Sequence, residues 1–319
     1  MKAIVVERYG RFEEREVPRP TASDGEVLVR VRASSVNALE WYKLTGRPWL
    51  ARPMTGLRRP RSQEFGSDFA GVVEAVGEGV TGLATGDEVY GSRHGALAEY
   101  VVATAVERKP TSLSFEAAAA APVAALSALQ GLRDHGGVQA GQKVLVNGAA
   151  GGVGTFAVQI AAALGSEVHA VCSVRNVEQS EALGASRVFD YGCEDFTRSG
   201  ERYDVVLDVA GNRSWRSIRR VLASDAVVVL VGGPRGRRLS GPLGHVARIL
   251  LAAKLGRRRA TFFVAKPNRD DLAVLTELID TGRVRPVIER RYELAELAEA
   301  MEAMRGGHAR GKHVVTVSR

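Results

Sequence analysis

Hydrophobic positions follow two different rhythms along the 319-residue chain. Over roughly the first 120 residues they form short valine-rich runs: "KAIVVER", "EVLVRVRASSV", "DFAGVVEAVG", "DEVYG" and "LAEYVVA". Asp-Gly, Gly-Asp and proline pairs separate them, which predicts strands joined by turns in a compact, barrel-like β-rich unit. Residues 39–62 break this rhythm. They are rich in arginine, proline and tryptophan and read as a surface excursion. "SFEAAAAAPVAALSALQGL" then predicts a helix capped by Ser114, interrupted at Pro122, and a second helix over Val123–Leu132.

From Gln142 strand-like and helix-like stretches alternate. "KVLVN", "EVHAVC", "RVFDY", "YDVVLDV" and "AVVVLVG" are separated by "GGVGTFAVQIAAALG", "NVEQSEALG" and "SWRSIRRVL". Such alternation builds a parallel sheet with helices on both faces. Beyond Ser240, "GPLGHVARILLAAKLGRRR" predicts an amphipathic helix packed on the protein body, a membrane-surface helix being the minor alternative. "TFFVA" predicts a strand, "NRDDLAVLTELIDTG" a helix capped by Asn268, "ELAELAEAMEAMRGG" a helix and "HVVTV" a last strand.

Candidate chemistry concentrates where "VLVN" meets "GGVGTFAVQIAAALG". Gly151 and Gly154 fit the last two glycines of a dinucleotide fingerprint, with Ala149 in the first place. A tight turn, bare backbone facing a pyrophosphate and a helix N-terminus aimed at the anion are the physical requirements. Asn147, Gly151, Gly152 and Val153 are the candidate residues of this loop. An NAD site would place an acid at the end of the second strand, yet "EVHAVC" is followed by "SVRN". Ser173, Arg175 and Asn176 stand where a 2′-phosphate would sit, and a guanidinium can pair with it through two N–H bonds. The expected cofactor is therefore NADPH; Arg175 as a solvated helix-start residue is the competing reading. Tyr191 either flanks the adenine or is an ordinary core or surface tyrosine.

Composition narrows the classes further. The balance of 45% hydrophobic and 25% charged residues is that of a soluble globular protein. No apolar run approaches the ~18 residues of a membrane span. Two cysteines, Cys172 and Cys193, and no visible secretory signal point to a cytoplasmic protein. The net charge of +8 is concentrated in arginine clusters. They lack aromatic interleaving and any nucleic-acid motif, so solvated surface is favoured over anion steering or nucleic-acid binding.

The stretches "RASSVN" (32–37), "GSDFAGVVEAVGEGV" (66–80), "GDEVYG" (86–91), "GALAEYVV" (95–102), "NGAAGGVG" (147–154) and "ALGASRVFDY" (182–191) resemble the medium-chain dehydrogenase/reductase superfamily. The likeness covers nearly the whole chain and is nearest to the zinc-free quinone oxidoreductase branch. It implies an α/β protein: a Rossmann-type doubly wound parallel sheet (123–262) plus a GroES-like β-rich catalytic domain (1–122 and 263–319), in a homodimer. It also implies ribose and nicotinamide contacts from Val209, Gly211, Asn212, Val231, Gly232 and Gly233, and from Phe263 and Val264 before "AKPN". Lys312 is set either near the cofactor or on the surface. Asn37 resembles a family asparagine that faces the substrate carbonyl, with a capping role as the alternative.

Zinc members of the superfamily carry cysteine where this chain has Asn37, and His-Glu where it has Ser67-Asp68. No metal is expected; His94, Asp68 and Glu40 form only a remote alternative ligand set. Where relatives have a tyrosine beyond this asparagine, the chain reads "NALEWYKLTGRPWLAR". Tyr42 is the candidate proton donor beside water or a cofactor hydroxyl, and Trp41 and Trp49 are candidate substrate-binding residues. The expected activity is zinc-independent hydride transfer from NADPH to a quinone or α,β-unsaturated carbonyl. An enoyl-thioester reductase served by the arginines of 47–61 or 235–259, and an NADPH-binding or RNA-binding protein with little turnover, are the alternatives.

Overall fold

A computed structural model of the chain describes residues 1–233, 239–307 and 309–317. The chain divides into two compact units: one from residues 1–126, 266–282 and 286 onward, the other from residues 127–265 and 283–285.

The first unit begins with β1 (Lys2–Arg8), β2 (Arg11–Glu16), β3 (Val27–Val36), β4 (Asp68–Val76), β5 (Glu88–Ser92), β6 (Tyr100–Ala103) and β7 (Val106–Arg108). The second unit contains β8 (Lys143–Asn147), β9 (Glu167–Cys172), β10 (Arg187–Asp190), β11 (Tyr203–Asp208), β12 (Leu222–Leu230) and β13 (Arg259–Phe262). The chain then returns to the first unit with β14 (Ile288–Glu293) and β15 (Lys312–Thr316).

In the first unit the main sheet runs β14-β15-β3-β4-β5-β7, with β6 also paired to β3. Alternation along its strands sends Val27, Val29, Val31, Phe69, Val73, Val89 and Val101 into one core. Two registers bring polar residues together at one end of β3. Ser35 of β3 lies opposite Asp68 of β4. His313 of β15 lies opposite Val36 of β3 in an antiparallel pair, which brings Lys312 alongside Asn37.

The expected surface excursion is instead partly helical, over Ala38–Thr45 and Arg52–Thr55. The first helix starts at Asn37, whose extended backbone (φ −124°) donates its N–H to the Glu40 carboxylate at 2.7 Å. It stops at Gly46, in the left-handed region at φ 60°. Trp41 and Leu44, three residues apart on one face, pack with Val36, Phe65, Leu97 and Tyr292. Burying Trp41 is worth about 2–3 kcal/mol, which explains why a stretch so rich in arginine and proline still folds back onto the sheet.

In the second unit the parallel sheet runs β10-β9-β8-β11-β12-β13. The strand order reverses between β8 and β11, the switch point at which doubly wound sheets bind ligands beyond their C-terminal ends. The predicted strand "TFFVA" is β13, which begins two residues earlier and joins this sheet beside β12. The helix Gly241–Leu255 buries Val246, Ile249 and Ala253, as expected of a helix packed on the protein body, while Leu251 and Leu255 stay exposed. Arg235, Arg237 and Arg238 of the middle arginine cluster lie outside the described residues.

Candidate active site

In the first unit the two strand registers gather a buried polar cluster. Asp68, fully buried, is its hub. Its Oδ1 accepts from the Val123 N–H at 2.8 Å. Its Oδ2 accepts from Ser35 Oγ at 2.7 Å, Asn37 Nδ2 at 2.9 Å and Lys312 Nζ at 3.2 Å. Lys312 Nζ also donates to Asn37 Oδ1 at 2.5 Å. Beside this hub, Glu40 accepts from Ser67 Oγ at 2.5 Å and from the Asn37 N–H. Burial pushes the Glu40 carboxyl above its ordinary range; the Ser67 hydrogen bond opposes this, and the Asp68 charge adds to it.

One turn along the same helix, Lys43 donates to the Glu64 carbonyl, and burial lowers its pKa. His94 is lowered by burial and by the Lys43 charge. Its electrostatic neighbours are thus Lys43, Glu64 and Arg93, and it does not complete a ligand set with Asp68. The donors at the positions of the zinc-type residues are an amide (Asn37), a hydroxyl (Ser67) and a carboxylate already paired with an ammonium (Asp68). Zinc asks for histidine, cysteine or free carboxylate ligands in tetrahedral array, so this donor set does not fit it.

Several expectations change here. Lys312 is not a surface residue: it is 2% exposed and locked to Asn37 and Asp68. Trp41 is a core residue, 8% exposed, because its position on the inner helix face turns its ring into the hydrophobic cluster. It therefore has little surface left for a substrate. Tyr42 is half-buried against the same cluster, edge-on to Trp41 with ring centroids 5.2 Å apart. Trp49 remains half exposed, with the Arg52 guanidinium over its ring. Sequence reasoning missed Ser35 and the role of Asp68 as hub. A lone aspartate beginning a valine-rich strand was the available signal.

In the second unit the candidate cofactor residues collect at the C-terminal edge of the parallel strands. Gly148 turns the chain after β8 with φ +96°, a conformation that favours glycine. Gly154 is pinned by packing: a Cβ there would stand 2.1 Å from the Gly148 carbonyl oxygen. At Gly151 a Cβ would meet nothing within 4 Å, so its backbone stands bare at the helix N-terminus. Ser173 and Arg175 follow β9, with Arg175 exposed. Asn176 donates from Nδ2 to Ser173 Oγ at 3.0 Å, while its Oδ1 is buried without a partner. The bare glycine face at the helix N-terminus, beyond the strand ends, fits a dinucleotide phosphate region, whereas the unpartnered Asn176 Oδ1 is an acceptor and suits a hydroxyl donor rather than a phosphate oxygen. Tyr191, after β10, is about half exposed.

The remaining residues form a second layer. Asn147 is buried, and its amide nitrogen donates to Asp208 Oδ1 at 2.7 Å and Asn212 Oδ1 at 3.1 Å. Both of its N–H bonds are thus committed to protein, so it shapes the loop after β11. Asp208 also accepts from the Gly211 N–H at 2.8 Å. Val209 to Asn212 and Val231 to Gly233 touch backbone to backbone. A Cβ on Gly211 would lie 2.4 Å from Gly233 Cα, and one on Gly232 would lie 2.2 Å from the Val209 oxygen. Phe263 stacks on His135 at 4.2 Å, and Val264 is exposed.

Two family models match the chain. Residues 23–111 match the alcohol dehydrogenase GroES-like domain, and residues 183–315 match the zinc-binding dehydrogenase family. The chain is 33% identical to the mitochondrial NAD(P)H oxidoreductase RTN4IP1 of Mus musculus, over 99% of this chain and 89% of that protein. It is 32% identical to 2-methylene-furan-3-one reductase of Solanum lycopersicum, over 99% and 79%. The solved structure of the quinone oxidoreductase from Coxiella burnetii superposes with a TM-score of 0.87 at 31% identity, covering 100% and 99% of the two chains. The chain belongs to the medium-chain dehydrogenase/reductase superfamily, in its quinone oxidoreductase-like branch. It is an oxidoreductase.

The expected cytoplasmic location does not stand against these findings, since similar proteins are named for the mitochondrion and the chloroplast envelope. A low cysteine count speaks only to disulfide-poor surroundings and singles out no compartment. Among the described residues no helix is long and apolar enough to cross a membrane.

Proposed function

We propose that the protein is a zinc-independent, NADPH-dependent reductase of quinones or α,β-unsaturated carbonyls. The observation that carries this reading is the edge of the parallel sheet. There the bare Gly151–Gly152 backbone neighbours a β9 end that bears Ser173, Arg175 and Asn176 and no acid. Bound NADPH supplies a hydride, and with it two electrons, to the electrophilic carbon of the acceptor. In the second unit the helix N-terminus receives the pyrophosphate and Arg175 pairs with the 2′-phosphate. In the first unit Asn37 donates a hydrogen bond to the acceptor oxygen as it gains negative charge. The proton that completes reduction comes from solvent or from Tyr42.

The test is fluorescence titration of metal-stripped protein with NADPH and NADH, then turnover on quinones and enones. Tight NADPH binding with turnover on either class supports the reading. Activity confined to acyl thioesters would move the assignment to an enoyl-thioester reductase. Failure to bind either dinucleotide overturns the assignment of the glycine turn.

A further inference from the structure

Lys312 is a charged side chain with 2% exposure, and a buried ammonium is costly unless something specific holds it. Its nearest carboxylate does not require it. Asp68 already accepts three hydrogen bonds from the Val123 N–H, Ser35 Oγ and Asn37 Nδ2. The ammonium also lies closer to the Asn37 amide oxygen, at 2.5 Å, than to the Asp68 carboxylate, at 3.2 Å. The amide is thus held between a cation on its oxygen and an anion on its nitrogen. Flipped, it would turn N–H bonds toward the ammonium and oxygen toward the carboxylate, so both ends fix one orientation. Donors and acceptors linked in such a chain polarise one another, which makes the Asn37 N–H bonds stronger donors. Nδ2 carries two hydrogens, and Asp68 takes one.

We propose that Lys312 is the resident cation of this cluster, at the place where zinc-type relatives carry metal ligands, and that it acts through Asn37. Its ammonium holds and polarises the amide so that the second Nδ2 hydrogen is a directed donor to the carbonyl oxygen of the acceptor. Asn37 touches substrate; Lys312 is a positioning residue, balanced by Asp68. The inference rests on the reductase reading. The bonds balance without it: hydride adds to the electrophilic carbon, the electron pair of the reduced double bond moves toward oxygen, and solvent supplies the proton. Asn37 and Lys312 give up no proton.

The experiment is a double-mutant cycle on the full chain, with Lys312→Met, Asn37→Ala and the pair. Cyclohexenone and 1,4-benzoquinone serve as acceptors, and NADPH affinity is read by fluorescence. Lys312→Met should lower kcat about 10- to 100-fold while the NADPH Kd changes less than about 2-fold, the scale of a weakened oxyanion donor. In the Asn37→Ala background the same change should have little further effect. Lys312→Arg should restore part of the rate. If Lys312→Met fails to fold, Lys312→Met combined with Asp68→Asn removes both charges and is read in the same way. Equal losses in both backgrounds, or lower melting temperature with unchanged kcat, would overturn the proposal and leave a structural lysine. No turnover by the wild type despite NADPH binding overturns the reductase reading, and this inference with it. Turnover that Lys312→Met leaves intact overturns this inference alone.

Discussion

Asn147, at the end of β8, donates to the carboxylate of Asp208, at the end of β11, across 2.7 Å of the sheet edge. This bond joins the two strands that flank the switch point. Asp208 Oδ2 has no partner, and burial raises its pKa above the ordinary aspartate range, with hydrogen bonds from Gly211 and Asn147 opposing. A carboxyl whose folded pKa exceeds its unfolded value contributes stability below the unfolded pKa, about 3.9. It loses that contribution as pH rises through the folded pKa. Asp208→Asn keeps an oxygen for both donors and removes the charge. The variant should gain on the wild type as pH rises, by about 1 kcal/mol near neutrality, and the gain should vanish near pH 4. Denaturant midpoints across that range measure it; a difference independent of pH would contradict the account.

Gly151 and Gly154 should respond differently to the same added methyl group. Gly154→Ala drives a Cβ into the Gly148 carbonyl and should cost about 2–4 kcal/mol. Gly151→Ala meets open space and should change stability by about 1 kcal/mol or less, yet weaken NADPH binding. Calorimetry and dinucleotide titration on the two variants separate the roles. NADPH affinity unchanged in Gly151→Ala would remove the pyrophosphate from that face.

Arg175→Ala should lower NADPH affinity by about 1.5–3 kcal/mol, the scale of a charge-assisted bond, and leave NADH affinity nearly unchanged. Parallel titrations decide the matter, and equal loss for both cofactors would remove the 2′-phosphate from Arg175.

His313 lies on β15, beside β14, with a side chain 3% exposed, neither ring nitrogen hydrogen-bonded and Glu289 at 3.5 Å. Burial depresses its pKa, opposed by Glu289 and reinforced by Lys312 and Arg290. A histidine with a depressed folded pKa stabilises the fold above the unfolded value, about 6.5, and that stability is lost as pH falls through the folded pKa. Within that window the slope approaches about 1.4 kcal/mol per pH unit. His313→Phe should flatten the fall in melting temperature between pH 7 and pH 5. An unchanged slope would place the acid sensitivity elsewhere, His169 being another buried histidine with a depressed pKa among the described residues.

The parallel sheet and the glycine turn were legible in the sequence because both are local: a period of alternation, and spacing within one strand–turn–helix. The polar cluster of the first unit was less so. Nothing near "GKHVV" announces a buried lysine, and its partner Asn37 is 275 positions away. The contact exists because β15 pairs antiparallel with β3 in a register that sets His313 opposite Val36. A one-residue slip would turn Lys312 to the other face. Trp41 was misread for a related reason. Its neighbours in sequence are polar, and only the three-residue spacing to Leu44 marks the inner face of a short helix.

The backbone contacts between residues 209–212 and 231–233 limit how such a protein can be redesigned. A side chain on Gly211 would strike Gly233, and one on Gly232 would strike Val209, so neither glycine tolerates a side chain while the other loop stays as it is. On the proposed reading, cofactor preference would be engineered at 173–176, where the side chains are separable. The two glycine loops would have to be transplanted together, as one part.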